Sequence, residues 1–142
     1  MKEINKDLFK MKCPLAHCIS SDFAMGAGIA LNFRRMGVEK QLKKNFKKNN
    51  WNGIGYCLRT MADNGHVVYN LVTKQYYYMK PNYNTLTSAL VDMRRQLIEN
   101  GETEIAMPMI GCGLDKLSWN KVKNIIETIF NDTDINVTIC YK

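Results

Sequence analysis

The sequence predicts a layered α/β domain with a largely parallel central sheet. Segments with the apolar character of strands alternate along the chain with segments that have the spacing of amphipathic helices. Most of the strand segments are nearly continuously apolar, which is typical of parallel strands covered by helices on both faces. The 142 residues contain no repeat, low-complexity tract or linker, so we expect a single domain over residues 1–142.

The first half of the chain predicts two strands followed by two helices. Residues 4–9 (INKDLF) favour a short strand that leads into a turn, and residues 14–20 (PLAHCIS) favour a buried strand. A Gly-Ala-Gly turn then opens a helix that should end near Gly37. A second helix is expected to carry the lysine run of residues 39–50.

The second half predicts four strands and two helices. Residues 53–60 and 66–74 are rich in β-forming side chains and flank the turn-like MADNG. Apolar residues at helical spacing follow in residues 84–101, with Gly101 as a stop. Residues 104–110 then favour a buried strand. Ser118 is the candidate cap of a last helix, and residues 135–141 favour a final strand.

Composition indicates a folded protein in a reducing compartment. Hydrophobic residues make up 46% of the chain and charged residues 23%, which is typical of globular rather than disordered proteins. No apolar run is long enough to span a membrane, and the first ten residues lack the apolar core of a signal peptide. We therefore expect an intracellular, cytoplasmic protein (nuclear if the source is eukaryotic), with no membrane partner and, by default, monomeric. The five cysteines include no C-x-x-C pair, so no metal site or redox pair is predicted.

The net charge of +7 favours anionic partners. Much of it lies in residues 39–50, where a solvated helix face is one interpretation. The alternative is a nucleic-acid-binding stripe, since Phe46 and Trp51 interleave with these lysines.

Two glycine-rich segments lie where a predicted strand leads towards a helix. They are residues 25–30 (MGAGIA) and 110–115 (IGCGLD). Glycines allow backbone N–H groups to approach an anion closely, and a helix N-terminus adds a favourable dipole. Two such loops can hold a diphosphate between them, although each can also be a plain tight turn. The first lacks the third glycine of a dinucleotide fingerprint, and the second lacks the Gly-Lys-Ser/Thr ending of a P-loop.

The chain contains, in this order, the motifs DLF, LAHCISSDFAMGAGIA, LVTK, KPNYNTL and MPMIGCGLDKLSW. Their order resembles that of macrodomains over nearly the whole chain. More narrowly, it resembles the terminal ADP-ribose protein glycohydrolase class, whose members carry a catalytic lysine. The resemblance implies a three-layer α/β/α fold around a mixed, mostly parallel sheet, with an ADP-ribose cleft across the strand ends. It also implies ADP-ribose and ADP-ribosylated proteins as partners, with no cofactor.

The resemblance assigns catalysis to Lys74 of LVTK and Asp115 of GCGLD. Lys74 would attack C1″ of the distal ribose and displace a carboxylate ester, and Asp115 would promote release of the lysyl adduct. The implied substrates are mono-ADP-ribose on glutamate or aspartate and O-acyl-ADP-ribose. Without the resemblance, Lys74 reads as a surface lysine and Asp115 as a helix cap.

The resemblance also implies the residues that bind ADP-ribose. Asp7 would accept a hydrogen bond from the adenine amino group beside Leu8, although Lys6 stands where the family usually has glycine. Ser20 would lie near the diphosphate or distal ribose. The remaining candidates flank the cleft in three segments: Met25, Gly26, Ala27, Gly28, Ile29 and Ala30; Thr73; and Pro108, Ile110, Gly111, Cys112, Gly113 and Leu114.

Several alternatives remain open at this point. Within the class, removal of ADP-ribose from nucleic-acid bases would make ADP-ribosylated nucleic acid a partner, and some macrodomains are ADP-ribose 1″-phosphate phosphatases. A non-catalytic ADP-ribose reader is the alternative from another class. His17 is interpreted as a core histidine rather than a base. Residues 75–83 (QYYYMKPNY) favour equally a lid that stacks on the ligand and a plain loop with packed tyrosines.

Overall fold

The computed structural model describes residues 1–46 and 53–142, which form one mixed sheet covered by helices. The strands are β1 (Lys2–Asn5), β2 (Leu15–Ser20), β3 (Cys57–Met61), β4 (Val67–Lys74), β5 (Glu104–Met107) and β6 (Asn136–Tyr141). The helices are α1 (Ile29–Arg35), α2 (Val38–Phe46), α3 (Tyr83–Glu99) and α4 (Trp119–Phe130). No helix among the described residues is long and apolar enough to cross a membrane.

The six strands follow the order β1–β6–β5–β2–β4–β3 across the sheet. Every neighbouring pair is parallel except β3 and β4, which form an antiparallel hairpin at one edge. The central strands β2 and β4 are almost entirely buried. The mixed, mostly parallel sheet that the family resemblance implies is therefore confirmed.

Alternate side chains of the sheet pack into two separate cores, one on each face. Tyr69 and Leu71 of β4 pack with apolar residues of α3 and α4. Val68 and Val72 of the same strand pack on the opposite face, in the core that contains buried residues of α1 and α2. This alternation is what the two-residue period of a strand dictates, and it produces the three-layer α/β/α arrangement.

Three predicted strands differ from those observed, and the one predicted over residues 53–60 covers Cys57–Met61 instead. The strand predicted over residues 4–9 covers Lys2–Asn5 instead, and Leu8–Lys10 form a short 3-10 helix whose N-cap is Asp7. The strand predicted over residues 104–110 ends at Met107, because Pro108 has no N–H to continue the ladder. Part of the predicted lysine run, with Trp51, lies outside the described residues.

The predicted helix signals coincide with observed helix ends. Gly37 (φ 87°) directly follows the cap of α1, and Gly101 (φ 65°) follows the cap of α3. Ser118 is the N-cap residue of α4, but its side chain makes no capping hydrogen bond. Its N–H instead donates to the hydroxyl of Tyr83, which joins the starts of α3 and α4.

His17 is a fully buried histidine in the sheet, as the sequence predicts. Its Nε2 lies 2.6 Å from Oδ1 of Asn70. The Asn70 amide nitrogen donates to the carbonyl of Leu58, so its oxygen must accept and Nε2 must carry the proton. The other ring nitrogen has no hydrogen-bond partner among the described residues, and the ring stacks on Phe33 at 3.9 Å between centroids. Burial lowers the pKa of His17 from 6.5 to about 4.

We expect His17 to make the protein less stable in weak acid. Between pH 6.5 and about pH 4, the unfolded chain binds a proton at His17 that the folded chain does not. The free energy of unfolding should fall as the pH drops through this window. At about 1.4 kcal/mol for each tenfold difference in proton affinity, the loss is about 3 kcal/mol. Urea unfolding followed by circular dichroism at pH 7, 6, 5 and 4 measures it.

The control is His17→Gln, which keeps a polar side chain but removes the titrating ring. Its stability should depend less steeply on pH over the same window, whatever its stability at pH 7. Parallel curves for the two proteins would contradict the assignment.

Candidate functional site

A cleft lies where the chain changes direction across the sheet. Helix α1 follows β2 and packs on one face, whereas α4 follows β5, the neighbour of β2, and packs on the other face. The loops that leave the carboxyl ends of these two strands therefore diverge, and ligands of α/β sheets bind in the crevice between such loops. The cleft encloses about 650 Å³, which lies within the usual range of small-molecule sites.

The wall that follows β2 is a strained loop held by Asp22. Phe23 (φ 58°) and Met25 (φ 43°) adopt the left-handed region that L-residues rarely occupy, and both side chains are buried. Oδ1 of Asp22 accepts hydrogen bonds from the Ser20 hydroxyl and from the Ala24 N–H. These contacts fix the path of the backbone into the first glycine turn.

The wall that follows β5 depends on Gly111. Its φ of 73° is in the left-handed region, and a Cβ there would lie 2.9 Å from Cδ1 of Leu117. The N–H of Leu117 donates to the Gly111 carbonyl at 2.7 Å, which closes the loop on itself. A side chain at this position therefore requires both a strained backbone and a shift of Leu117.

Lys74 and Asp115 meet at the end of the cleft. The Lys74 Nζ lies 2.7 Å from Oδ1 of Asp115, and each side chain is 15% exposed. A shared site for these two residues would require their strand ends to be neighbours if the strands alone placed them, but β2 lies between β4 and β5. The contact forms because residues 108–115 run back across the end of β2.

Most of the predicted ligand-binding residues line this cleft. From the β2 side, the cleft is lined by Ser20, Met25, Gly26, Ala27, Gly28, Ile29 and Ala30. From the β5 side, it is lined by Pro108, Ile110, Gly111, Gly113 and Leu114, and both Lys74 and Asp115 face it.

Four predicted residues lie outside the cleft lining. Asp7 accepts a hydrogen bond from the Phe9 N–H at 3.0 Å and caps the 3-10 helix, and Leu8 is buried beside it. Thr73 is 1% exposed, and the thiol of Cys112 donates to the Ile110 carbonyl. Their roles towards a ligand stay predictions from the resemblance.

Sequence reasoning missed two residues that shape the cleft mouth. Asp22 accepts a hydrogen bond from the Tyr77 N–H at 3.1 Å, in addition to the hydrogen bonds within its own loop. It therefore joins the first glycine turn to residues 76–78, here called the tyrosine segment. Lys80 lines the cleft and donates to the Leu114 carbonyl at 2.7 Å. The SSD tripeptide before the glycine turn was a usable signal for Asp22, because aspartate commonly accepts nearby backbone N–H groups. Lys80 belongs to the KPNYNTL motif of the resemblance, but no feature of that motif indicated that its side chain lines the cleft.

The side chains of the tyrosine segment at the cleft mouth are exposed. Tyr76, Tyr77 and Tyr78 are exposed, with the rings of Tyr76 and Tyr78 stacked at 5.6 Å. Of the three, Tyr77 lines the cleft.

The titratable side chains that line the cleft include the Lys74 and Asp115 pair in contact, and Lys80. Cys18 also lines it, but burial, helped by the charge of Asp115, raises the pKa of this thiol to about 12, so it stays protonated and unreactive. Among residues 1–46 and 53–142, no cluster of histidine, cysteine, aspartate or glutamate could hold a metal ion. The arrangement suits an anionic ligand between the two turns.

Comparison with known proteins gives the same family from sequence and from structure. The Macro domain family model matches residues 16–126. The human protein "ADP-ribose glycohydrolase OARD1" is 39% identical in an alignment that covers 96% of this chain and 88% of the human one. The Bos taurus protein of the same name matches with the same identity and coverage.

Two solved structures show the same fold. The macrodomain of Mycobacterium tuberculosis DarG superposes with a TM-score of 0.83 at 23% identity, over 100% of this chain and 98% of that one. Thermosipho africanus DarTG in complex with ADP-ribose gives a TM-score of 0.76 at 18% identity, over 95% of this chain and 39% of that one. By the family match and by its likeness to these relatives, the chain belongs to the macrodomain family.

Proposed function

We propose that this macrodomain binds ADP-ribose and hydrolyses ester-linked mono-ADP-ribose, on glutamate or aspartate side chains and in O-acyl-ADP-ribose, with Lys74 as nucleophile and Asp115 as its partner. Two relatives that match almost the whole chain are named as ADP-ribose glycohydrolases, which supports the reaction class. A structural neighbour was solved with ADP-ribose, which supports the ligand.

The contact between Lys74 and Asp115 is the observation that carries the proposal. Their Nζ and Oδ1 atoms are 2.7 Å apart in the same cleft, although they lie 41 residues apart in sequence. A plain ion pair at this depth contributes little to stability once desolvation is counted, so stability alone is a weak reason to place one here. A nucleophile beside a group that can accept its proton is a recurring arrangement in covalent catalysis.

The glycine turns explain how the distal ribose would reach this pair. Backbone N–H groups of the two walls can hold a diphosphate without side chains in the way, and Gly28 and Gly111 allow the turns to approach it closely. The sugar beyond the diphosphate then lies towards Lys74 and Asp115. Holding the reacting carbon next to the amine is itself a large part of catalysis.

The proposed reaction has two steps. The free amine of Lys74 attacks C1″, the N–C1″ bond forms, and the C1″–O bond breaks with its electron pair left on the departing carboxylate. Asp115 accepts the proton that the substituted amine loses. Asp115 then returns this proton to the Lys74 nitrogen, water adds at C1″ as the N–C1″ bond breaks, and the proton that water loses passes through Asp115 to solvent, so that ADP-ribose and free Lys74 are released.

Replacing either residue of the pair should abolish turnover but not binding. We expect Lys74→Arg and Asp115→Asn to lower kcat on a glutamate-ADP-ribose peptide by about 10²–10⁴-fold, as for the loss of a catalytic acid or base. The affinity for free ADP-ribose, measured by calorimetry, should stay near that of the unchanged protein. Arginine keeps the positive charge but is not nucleophilic. The Lys74→Arg variant therefore distinguishes loss of the nucleophile from loss of the ion pair.

A covalent adduct provides the sharper readout. Intact mass should show one ADP-ribosyl group on Lys74 in the Asp115→Asn variant after mixing with substrate, and none in Lys74→Arg. Full turnover by both variants would contradict the lysine mechanism. Binding of ADP-ribose without release from any ester substrate would identify a reader instead.

The turn at Gly111 should contribute to ADP-ribose binding, because it lines the cleft. Gly111→Ala should weaken ADP-ribose binding, because the new Cβ meets Leu117 and displaces the loop. Gly101→Ala is the matched control, since Gly101 also has a positive φ (65°) but lies in open space away from the cleft.

Both alanine variants should lose about 1–2 kcal/mol of stability from the left-handed backbone. The affinity for ADP-ribose, measured by calorimetry, should fall in Gly111→Ala alone. Equal affinities in the two variants would show that the turn does not contact the ligand.

A further inference from the structure

Lys80 places a second ammonium group at the reactive end of the cleft. It lines the cleft together with Lys74, and its Nζ donates to the Leu114 carbonyl at 2.7 Å. The two lysines differ in their partners. Lys74 is paired with Asp115, whereas no carboxylate within the described part of the chain forms an ion pair with Lys80.

The position of Lys80 is fixed by the elements on either side of the mouth. Pro81 is buried directly after it, and Asn82 then forms a capping box with Thr85 at the start of α3. Across the mouth, the carbonyl that accepts from Lys80 belongs to Leu114, whose peptide bond leads directly into Asp115. The ammonium group therefore lies at the end of the cleft where Asp115 is, and its stem comes from a segment anchored to a helix.

The charge balance of the proposed reaction leaves a role for this cation. Lys74 must be neutral when it attacks, while Asp115 carries a negative charge. As the N–C1″ bond forms and the C1″–O bond breaks, positive charge develops on the Lys74 nitrogen beside Asp115, and negative charge develops on the departing carboxylate. Among the residues that line the cleft, Lys80 is the other cationic side chain. Cations placed where charge develops in the transition state lower its free energy.

We propose that Nζ of Lys80 binds the carboxylate that leaves C1″ and stabilises the negative charge that develops on its oxygen. This inference rests on the proposed function and adds a residue to it. Lys80 exchanges its contact with the Leu114 carbonyl for the leaving oxygen and keeps its three protons, so the step needs no further proton donor. The mouth at this point is open, because Leu114 and Tyr77 are both exposed, and the carrier of the ADP-ribose has room to leave.

The test compares Lys80→Met and Lys80→Arg with the unchanged protein. On a glutamate-ADP-ribose peptide, Lys80→Met should lower kcat by about 10–100-fold, somewhat less than the loss of a fully enclosed transition-state donor. Lys80→Arg keeps the charge and should recover most of the rate. Lys116→Met is the matched control, since Lys116 is an exposed lysine of the neighbouring loop that does not line the cleft, and its rate should be unchanged.

A leaving-group series distinguishes this role from a structural one. Benzoate esters of ADP-ribose with different ring substituents vary the basicity of the departing carboxylate. If Lys80 stabilises that charge, log kcat should fall more steeply with the pKa of the leaving acid in Lys80→Met than in the unchanged protein. A loop that is merely displaced slows all the esters equally and leaves the slope unchanged, which would overturn the inference.

Binding of free ADP-ribose separates the remaining outcomes. The dissociation constant should be the same for Lys80→Met and the unchanged protein, because free ADP-ribose has no leaving carboxylate. A weaker affinity that accounts for the whole loss of rate would place Lys80 on the diphosphate instead and overturn the inference. If the unchanged protein hydrolyses the ester and Lys80→Met does so at the same rate, this inference alone fails. If the unchanged protein hydrolyses no ester, the proposed function fails with it.

Discussion

The cleft depends on one constraint of topology, which is that β2 lies between the strands that carry Lys74 and lead to Asp115. Adjacent strands are about 4.8 Å apart, so β4 and β5 are separated by about 10 Å. The eight residues from Pro108 to Asp115 cover that distance by turning across the end of β2. The glycines of this segment allow the turn, and Gly111 is the position where a side chain would obstruct it. The same segment thus forms a wall of the cleft and carries Asp115 to Lys74.

The contact that results places opposite charges in a partly desolvated position. A carboxylate and an ammonium group at 2.7 Å attract each other strongly only where water is excluded, and exclusion of water is what costs free energy for each ion. The buried surroundings keep the neighbouring thiol of Cys18 protonated at the same time. The cleft therefore holds the Lys74 side chain beside the Asp115 carboxylate, and the thiol of Cys18 stays protonated.

Much of the fold could be predicted from local patterns in the sequence. Helix α3 carries apolar residues at helical spacing, and β2 and β4 are continuous apolar runs, so each pattern determines one element. Met107 ends β5 three residues earlier than predicted, because apolar character continues past the proline that stops the ladder. Local patterns do not determine the order of the strands across the sheet. The family resemblance therefore paired Lys74 with Asp115, but no local pattern indicated that β2 lies between the strands that lead to them. Asp22 and Lys80 were missed for a related reason, since each acts on a segment distant in the chain.

Asp22 has a consequence for how this protein can vary. One oxygen of its carboxylate fastens the backbone that leads into the first glycine turn, and the other fastens the tyrosine segment. Asp22 thus joins the two sides of the entrance, as the Ser21 hydroxyl also does by donating to the Gln75 carbonyl, whereas the side chains of the three tyrosines are exposed. The rings of Tyr76 and Tyr78 do not line the cleft, and the linkage uses backbone rather than ring atoms. These two rings can therefore be exchanged for other residues during evolution while the path of the entrance backbone is kept.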